Sequence, residues 1–160
     1  MLKACVVRHE AVQIQLYVGP SRIAGQGLFA AQDIPQGTRI IAYIGEKISN
    51  QESARRRAEG NAYIFHQNYR YAIDGKTLAN TARYINHSCD PNCAVEKMPG
   101  TLWIVAVRDI TAGEELSYNY GYDAQHYANN PCHCGAENCC GYILDQQYWG
   151  VIKTRRGTPP

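Results

Sequence analysis

Four cysteines crowd between positions 132 and 140, as Cys132-His133-Cys134 followed by Cys139-Cys140, inside a polar loop running from Asn129 to Gly141. Cysteines one residue apart do not readily close an unstrained disulfide with each other, whereas a tight turn can aim three thiolates at one ion. Tetrahedral zinc needs a fourth ligand. Cys140, His133 and Cys89 are the candidates, and Cys89, 43 positions before Cys132, would tie the loop to the body of the protein. Using Cys140 would force two adjacent residues into one tetrahedron. A site closed by four ligands has no open position for chemistry, so its binding energy would serve to fold the loop. A reduced cysteine-rich loop without metal is the plainer reading, and the spacing disfavours it.

Three more segments carry reactive or ligand-binding residue types. Ser21-Arg22-Ile23-Ala24-Gly25-Gln26-Gly27 holds a Gly-x-Gly, which lets a backbone approach a ligand closely but is more often only a turn. It lacks the third glycine and the strand-helix-strand setting of a dinucleotide fingerprint. Asn80-Thr81-Ala82-Arg83-Tyr84-Ile85-Asn86-His87-Ser88-Cys89 is polar and turn-forming, and Asn86 and His87 could simply satisfy backbone groups. Tyr118, Tyr120 and Tyr122 alternate, so a strand would place them on one face, as a packed aromatic wall if nothing more.

In this order, over roughly Val12 to Leu144, the segments together resemble the SET-domain protein-lysine methyltransferases that carry a zinc-binding post-SET tail. The chain looks like a minimal member, with no cysteine-rich pre-SET region and a short insert between Gly45 and Asn80. The resemblance implies a mainly β fold of several small twisted sheets, with a C-terminal pseudoknot that passes the Tyr120 segment through a loop near Asn86 to Cys89. It implies S-adenosylmethionine as methyl donor, bound by Ala24, Gly25, Gln26, Gly27, Tyr63, Arg83, Asn86 and His87. It implies structural zinc on Cys89, Cys132, Cys134 and Cys139. Ile143, Leu144 or Trp149 would cover the adenine. Asn119 stands where the family commonly has Asp, and Cys140 where it commonly has Arg.

The implied reaction moves a methyl group from a sulfonium to the ε-amine of a lysine in a protein or peptide, with a histone tail as the family's commonest substrate. Tyr63, Tyr118 and Tyr120 would line the lysine channel. The catalytic tyrosine is Tyr120, whose hydroxyl would align the amine and favour the electropositive methyl group through weak C–H to oxygen contacts. Tyr118 sits where relatives carry Phe or Tyr. A hydroxyl there restricts the rotation that further methylation needs, so the expected product is chiefly mono-methyl, extending to di-methyl lysine. A catalytically silent SET module that binds a peptide is the competing reading, and a pure zinc interaction module is the next.

Positioning these residues falls to short strands. Val12 to Val18 alternates apolar and polar residues, and Thr38 to Gly45, Tyr63 to Phe65, Tyr69 to Ile73, Leu102 to Val107 and Glu115 to Tyr118 are further strand candidates. Ser49 and Glu52 match a capping box before a helix that ends at Gly60. Arg55, Arg56 and Arg57 on that helix read as a solvated face. Asp33-Ile34-Pro35-Gln36-Gly37 and Asp109-Ile110-Thr111-Ala112-Gly113 echo one another, and read as two ordinary turns.

With 160 residues, one catalytic-size body and a short appendage are expected, divided as an N-terminal extension (1–11), a SET catalytic domain (12–128), a post-SET zinc loop (129–150) and a mobile basic tail (151–160). A net charge of +2 is too small to argue for nucleic-acid binding. Residues 1 to 20 contain no signal-peptide core and no stretch suits a bilayer, so the expected setting is intracellular: the nucleus or chromatin for a histone substrate, otherwise the cytoplasm. No membrane or nucleic-acid partner is required, and the oligomeric state and the methylated protein stay open.

Overall fold

The computed structural model describes residues 13–125, 127–150 and 152. The expected N-terminal extension and, apart from Ile152, the expected basic tail lie outside the described residues. In chain order the elements are β1 (Leu16–Pro20), β2 (Gln26–Ala30), β3 (Arg39–Tyr43), β4 (Glu46–Ser49), α1 (Asn50–Ala58), β5 (Ile64–His66), β6 (Tyr71–Asp74), β7 (Asn86–His87), β8 (Cys93–Met98), β9 (Thr101–Ala106) and β10 (Ser117–Tyr118). Short 3-10 turns lie at Thr81–Tyr84, Tyr127–Asn129 and Gln146–Tyr148. The protein is mainly β, built as several small sheets.

β1 and β2 form an antiparallel pair, and the sheets β3-β9-β8 and β4-β6-β5 have three strands each. Alternation explains their inner faces. Leu102, Ile104 and Ala106 of β9 point inward and are buried, while Thr101, Trp103 and Val105 are only partly covered. They join Leu28, Ala30, Ile34, Ile85, Ile110 and Leu116 in one core. Each such buried Leu or Ile contributes about 1.5–3 kcal/mol. A separate cluster of Cys89, Cys140, Leu144, Trp149 and Ile152 closes the C-terminal segment, where Trp149 Nε1 donates to Leu144 O at 3.3 Å.

Ser49 caps α1, its hydroxyl accepting the Glu52 N–H at 3.1 Å. Of the three arginines, Arg56 is less solvated than the sequence suggests. Arg56 donates to Asp74 at 2.6 Å, to Glu46 at 2.7 Å and to Glu52 at 2.7 Å, and Arg57 donates to Ile64 O at 2.6 Å. They fasten α1 to β4, β5 and β6. Arg55, paired with Glu52 and Glu59, and Arg57 both stay exposed.

The echoed turns are also more than ordinary. Ile34 and Ile110 exchange backbone hydrogen bonds at 2.8 and 2.9 Å. Asp109 Oδ1 accepts the Gln36 N–H, and Asp33 Oδ1 accepts the Ala112 N–H, each at 2.8 Å. Gly37 and Gly113 both end their turns at positive φ, 81° and 88°. The two segments cap each other reciprocally, which a reading of each turn alone cannot show.

Candidate active site and metal centre

β7 and β10 are only two residues long and run parallel, with Ser117 opposite Asn86 and Tyr118 opposite His87. So short a parallel pair needs support. On one side, Leu116 N donates to Leu28 O at 2.8 Å and Ala30 N to Glu114 O at 3.0 Å. On the other, the buried Asn92 side chain accepts the Ser117 N–H and donates to Glu115 O, both at 2.8 Å. The segment from Glu114 to Tyr118 therefore runs between β2 and β7, bringing Tyr120 against the turn that holds Asn86 and His87.

Asn86 is 9% exposed. Its amide nitrogen faces four oxygens: Glu115 Oε1 at 2.8 Å, Gln26 O at 3.0 Å, Ser21 Oγ at 3.1 Å and Ala24 O at 3.4 Å. The Gly-x-Gly loop is thereby joined to the Asn-His turn. Gly25 has a φ of +49°, with nothing near its outer face. At Gly27 a Cβ would come within 2.4 Å of Glu115 Oε1, so a larger residue would have to displace that carboxylate from its place beside Asn86. The Gly-x-Gly, whose plainer reading from sequence is a turn, ends inside β2, where Gly27 lies. Ser21 and Glu115 were not singled out, because a serine in a turn and one glutamate of a pair carry no signal of their own.

Beside this junction the aromatic rings form a continuous wall. Tyr118 and Tyr120 lie 4.9 Å apart, Tyr120 and Tyr122 5.9 Å, and Tyr120 and the His87 ring 5.4 Å. Phe65 meets Tyr118 at 6.0 Å and Tyr43 at 5.6 Å. Phe65 and Tyr43 extend the wall beyond the residues expected from sequence, and aromatic strand ends were their only sign. Burial pushes the Tyr118 and Tyr120 hydroxyls well above the ordinary tyrosine value, so both stay protonated. Tyr120 Oη donates to Ile85 O at 3.0 Å. Burial likewise lowers His87 to about 4, leaving the ring neutral.

Tyr63 is fixed through its backbone. Its carbonyl accepts from Tyr43 Oη and from Gly75 N, each at 2.8 Å, and its N–H goes to Asn61 Oδ1 at 3.0 Å. The Arg83 guanidinium lies 4.0 Å from the Tyr63 ring centre and donates to Lys76 O. Arg83 thus touches Tyr63, and among the described residues its Nε has no hydrogen-bond partner.

The sulfurs of Cys89, Cys132, Cys134 and Cys139 all lie within 4.8 Å of one another. Cys89 Sγ is 3.7 Å from Cys139 Sγ and 3.9 Å from Cys132 Sγ. Zinc–sulfur bonds of about 2.3 Å in a tetrahedron put sulfurs about 3.8 Å apart, so the set fits zinc. Cys140 Sγ is 4.0 Å from Cys89 Sγ but donates to Tyr142 O at 3.2 Å. His133 is not in the cluster. Backbone N–H groups already aim at the sulfurs, Cys89 N at Cys134 Sγ at 3.4 Å and Gly141 N at Cys139 Sγ at 3.3 Å. Burial raises the Cys89 thiol and takes Cys132 to about 12. At Cys134 burial also acts upward, but N–H groups of Cys89 and Ala136 outweigh it, giving about 7.

Residues 25–121, more than half of the chain, match the family described as SET domain. The chain belongs to the SET-domain family. Human "Histone-lysine N-methyltransferase 2D" is 42% identical over 134 residues, covering 78% of this chain and 2% of that protein. "Histone-lysine N-methyltransferase, H3 lysine-4 specific" of Schizosaccharomyces pombe is 40% identical, covering 81% of this chain and 15% of the relative. This SET chain therefore spans a small fraction of the curated relatives it matches. Among solved structures, a chain of the humanized mutant of the Chaetomium thermophilum Polycomb Repressive Complex 2 bound to GSK126 is similar, with a TM-score of 0.62 and 34% identity, covering 69% of this chain and 15% of that one. The SET match ends before the cysteine loop at 132–139, which packs onto it through Cys89.

Proposed function

We propose that this SET domain is a protein-lysine N-methyltransferase, with S-adenosylmethionine as donor and a histone tail as substrate. The observation that supports this best is the meeting of Tyr120 with the Asn86-His87 turn inside a buried aromatic wall. Bound there, S-adenosylmethionine supplies a sulfonium methyl group for in-line displacement by an uncharged amine. Free lysine has a pKa of about 10.4, so a neutral-pH enzyme must favour loss of its proton. The rings of Phe65, Tyr118 and Tyr120 disfavour a charged ammonium by excluding water. Tyr120, protonated and held by Ile85 O, presents its oxygen as a positioning dipole and does not act as a base.

The residues that fit the donor are the Ala24 to Gly27 segment, Tyr63, Arg83, Asn86 and His87. The fit rests on the amide of Asn86: its Nδ2 is taken up by four acceptors, which leaves Oδ1 for a donor on the ligand. Cys89, Cys132, Cys134 and Cys139 would hold zinc, which locks the post-SET loop to the body. The catalytic unit runs over 12–128 and the zinc loop over 129–150. Tyr118 would confine the product to mono- and di-methyl lysine. A histone substrate places the protein in the nucleus or on chromatin. Incubation with labelled S-adenosylmethionine and a panel of histones and peptides tests the assignment. Label transfer by the wild-type protein is expected, and the Tyr120→Phe variant should lose about 100-fold or more in rate while still binding the donor. Equal transfer by both forms would remove Tyr120 from the mechanism.

A further inference from the structure

The Ser21 hydroxyl and the Glu115 carboxylate lie 94 positions apart in the chain and meet behind Asn86. Ser21 Oγ is hydrogen-bonded to Glu115 Oε1 at 2.8 Å and is 2.9 Å from Oε2. The same hydroxyl accepts the Ile23 N–H at 2.9 Å and the Ala24 N–H at 3.4 Å, while Ser21 N donates to Gly25 O at 3.0 Å. The loop from Ser21 to Gly25 is thus wound around one side chain. Glu115 Oε1 completes the arrangement by accepting from Asn86 Nδ2.

An amide has two chemically opposite ends, and its environment decides which one faces a ligand. Two of the acceptors of Asn86 Nδ2 are neutral backbone carbonyls, Ala24 O at 3.4 Å and Gln26 O at 3.0 Å. Ser21 Oγ accepts at 3.1 Å, and Glu115 Oε1, the nearest acceptor at 2.8 Å, adds a full negative charge; a charged acceptor holds an N–H roughly twice as strongly as a neutral one. Turning the amide over would set Asn86 Oδ1 against that carboxylate, a repulsive contact. Among the described residues, no donor is hydrogen-bonded to Asn86 Oδ1, so this oxygen is left for a ligand that donates.

The geometry points to Ser21 and Glu115 as a positioning pair for donor recognition: they orient the Asn86 amide and the 21–27 loop so that Asn86 Oδ1 faces the ammonium of the donor's amino-acid end. This rests on the methyl-transfer reading. It assigns the pair no contact with the reacting atoms. It predicts a specific energetic signature, since only ligands that carry the amino-acid end should sense the pair.

Isothermal titration of the full chain with two probes tests it. S-adenosylhomocysteine carries the amino-acid end, whereas 5′-methylthioadenosine keeps the adenosine and the thioether without it. Ser21→Ala and Glu115→Ala should each weaken S-adenosylhomocysteine about tenfold or more, as Asn86→Ala does, and change 5′-methylthioadenosine by less than about twofold. Glu115→Gln retains one acceptor and should restore part of the loss, which guards against a Glu115→Ala protein that unfolds. Equal weakening of both probes would make the pair merely structural and overturn the inference, as would no change in either. Failure of the wild-type protein to bind either probe would overturn the methyl-transfer reading and this inference with it, a pattern distinct from the other two.

Discussion

His87 Nδ1 accepts the backbone N–H of Tyr120 at 3.2 Å. Because that nitrogen must be an acceptor and burial keeps the ring neutral, the imidazole proton sits on Nε2, which lies 3.7 Å from Cys89 Sγ. One side chain therefore touches the aromatic wall on one side and the sulfur cluster on the other. Its backbone also lies in the parallel pair with β10.

Replacing His87 with alanine removes the side-chain acceptor of the Tyr120 amide and opens a space beside the Tyr120 ring. Loss of a buried hydrogen-bond partner costs about 1–3 kcal/mol. His87→Ala should lower the urea midpoint accordingly and slow methyl transfer by about 100-fold. A variant with wild-type stability and rate would show that the Tyr120 segment is held by its strand contacts alone.

Tyr118 is 8% exposed and packs between Phe65 and Tyr120. Tyr118→Phe removes one oxygen and keeps the ring. Mass spectrometry of a reacted lysine peptide should show mono- and di-methyl product for the wild type, and a shift toward tri-methyl lysine for the variant. An unchanged mixture would mean that other channel walls limit the product.

Cys89 contributes the one sulfur of the cluster that comes from the body of the domain. Cys89→Ser should reduce bound zinc from about one per chain toward none, as read by metal analysis. Residues 127–149 should then become sensitive to limited proteolysis, while the 13–125 core stays resistant. Protection of the loop without metal would show that Leu144 and Trp149 suffice to hold it.

Burial pushes the Asp74 carboxyl up, but hydrogen bonds from Arg56 and Asn61 outweigh it and hold it below the ordinary carboxylate value. Its pKa is therefore lower in the folded than in the unfolded protein. The stabilisation is fully present above the unfolded value of about 4 and is lost as pH falls through the folded one. Asp74→Asn should cost about 1–3 kcal/mol at pH 7, less than for an isolated buried pair because Arg56 keeps Glu46 and Glu52. Denaturation curves of the two proteins should draw together as the pH falls below the ordinary carboxylate value. A gap that persists there would place the effect in packing and not in charge.

The sequence was most legible where a residue's type alone limits its chemistry. The cysteine spacing proposed a cluster that the fold assembles, and Ser49 with Glu52 marked the start of α1. Strands with clean alternation, such as Leu102 to Val107, were found within a residue or two of β9. β4 and β8 were missed because Glu46-Lys47-Ile48-Ser49 and Cys93 to Met98 expose most of their side chains and show no apolar face. β7 is too short to have any period, whereas β10 lies inside the strand expected from Glu115 to Tyr118. The roles of Arg56, Asn92 and Glu115 were invisible for a different reason. Each depends on partners far along the chain, and a lone polar residue does not announce which distant group will reach it.

The reciprocal turns at Asp33 and Asp109 have a consequence for how the chain assembles. The bonds that complete this fold join residues 79 and 94 positions apart, so closure entropy must be overcome before the core is sealed. During synthesis, the N-terminal half lacks the partners that Leu28, Ile34 and Ser21 find in the stretch from Ile110 to Tyr118 until that stretch has left the ribosome. Until then, the faces of β2 and β3 are exposed to aggregation, and chaperone dependence should be greatest in that interval.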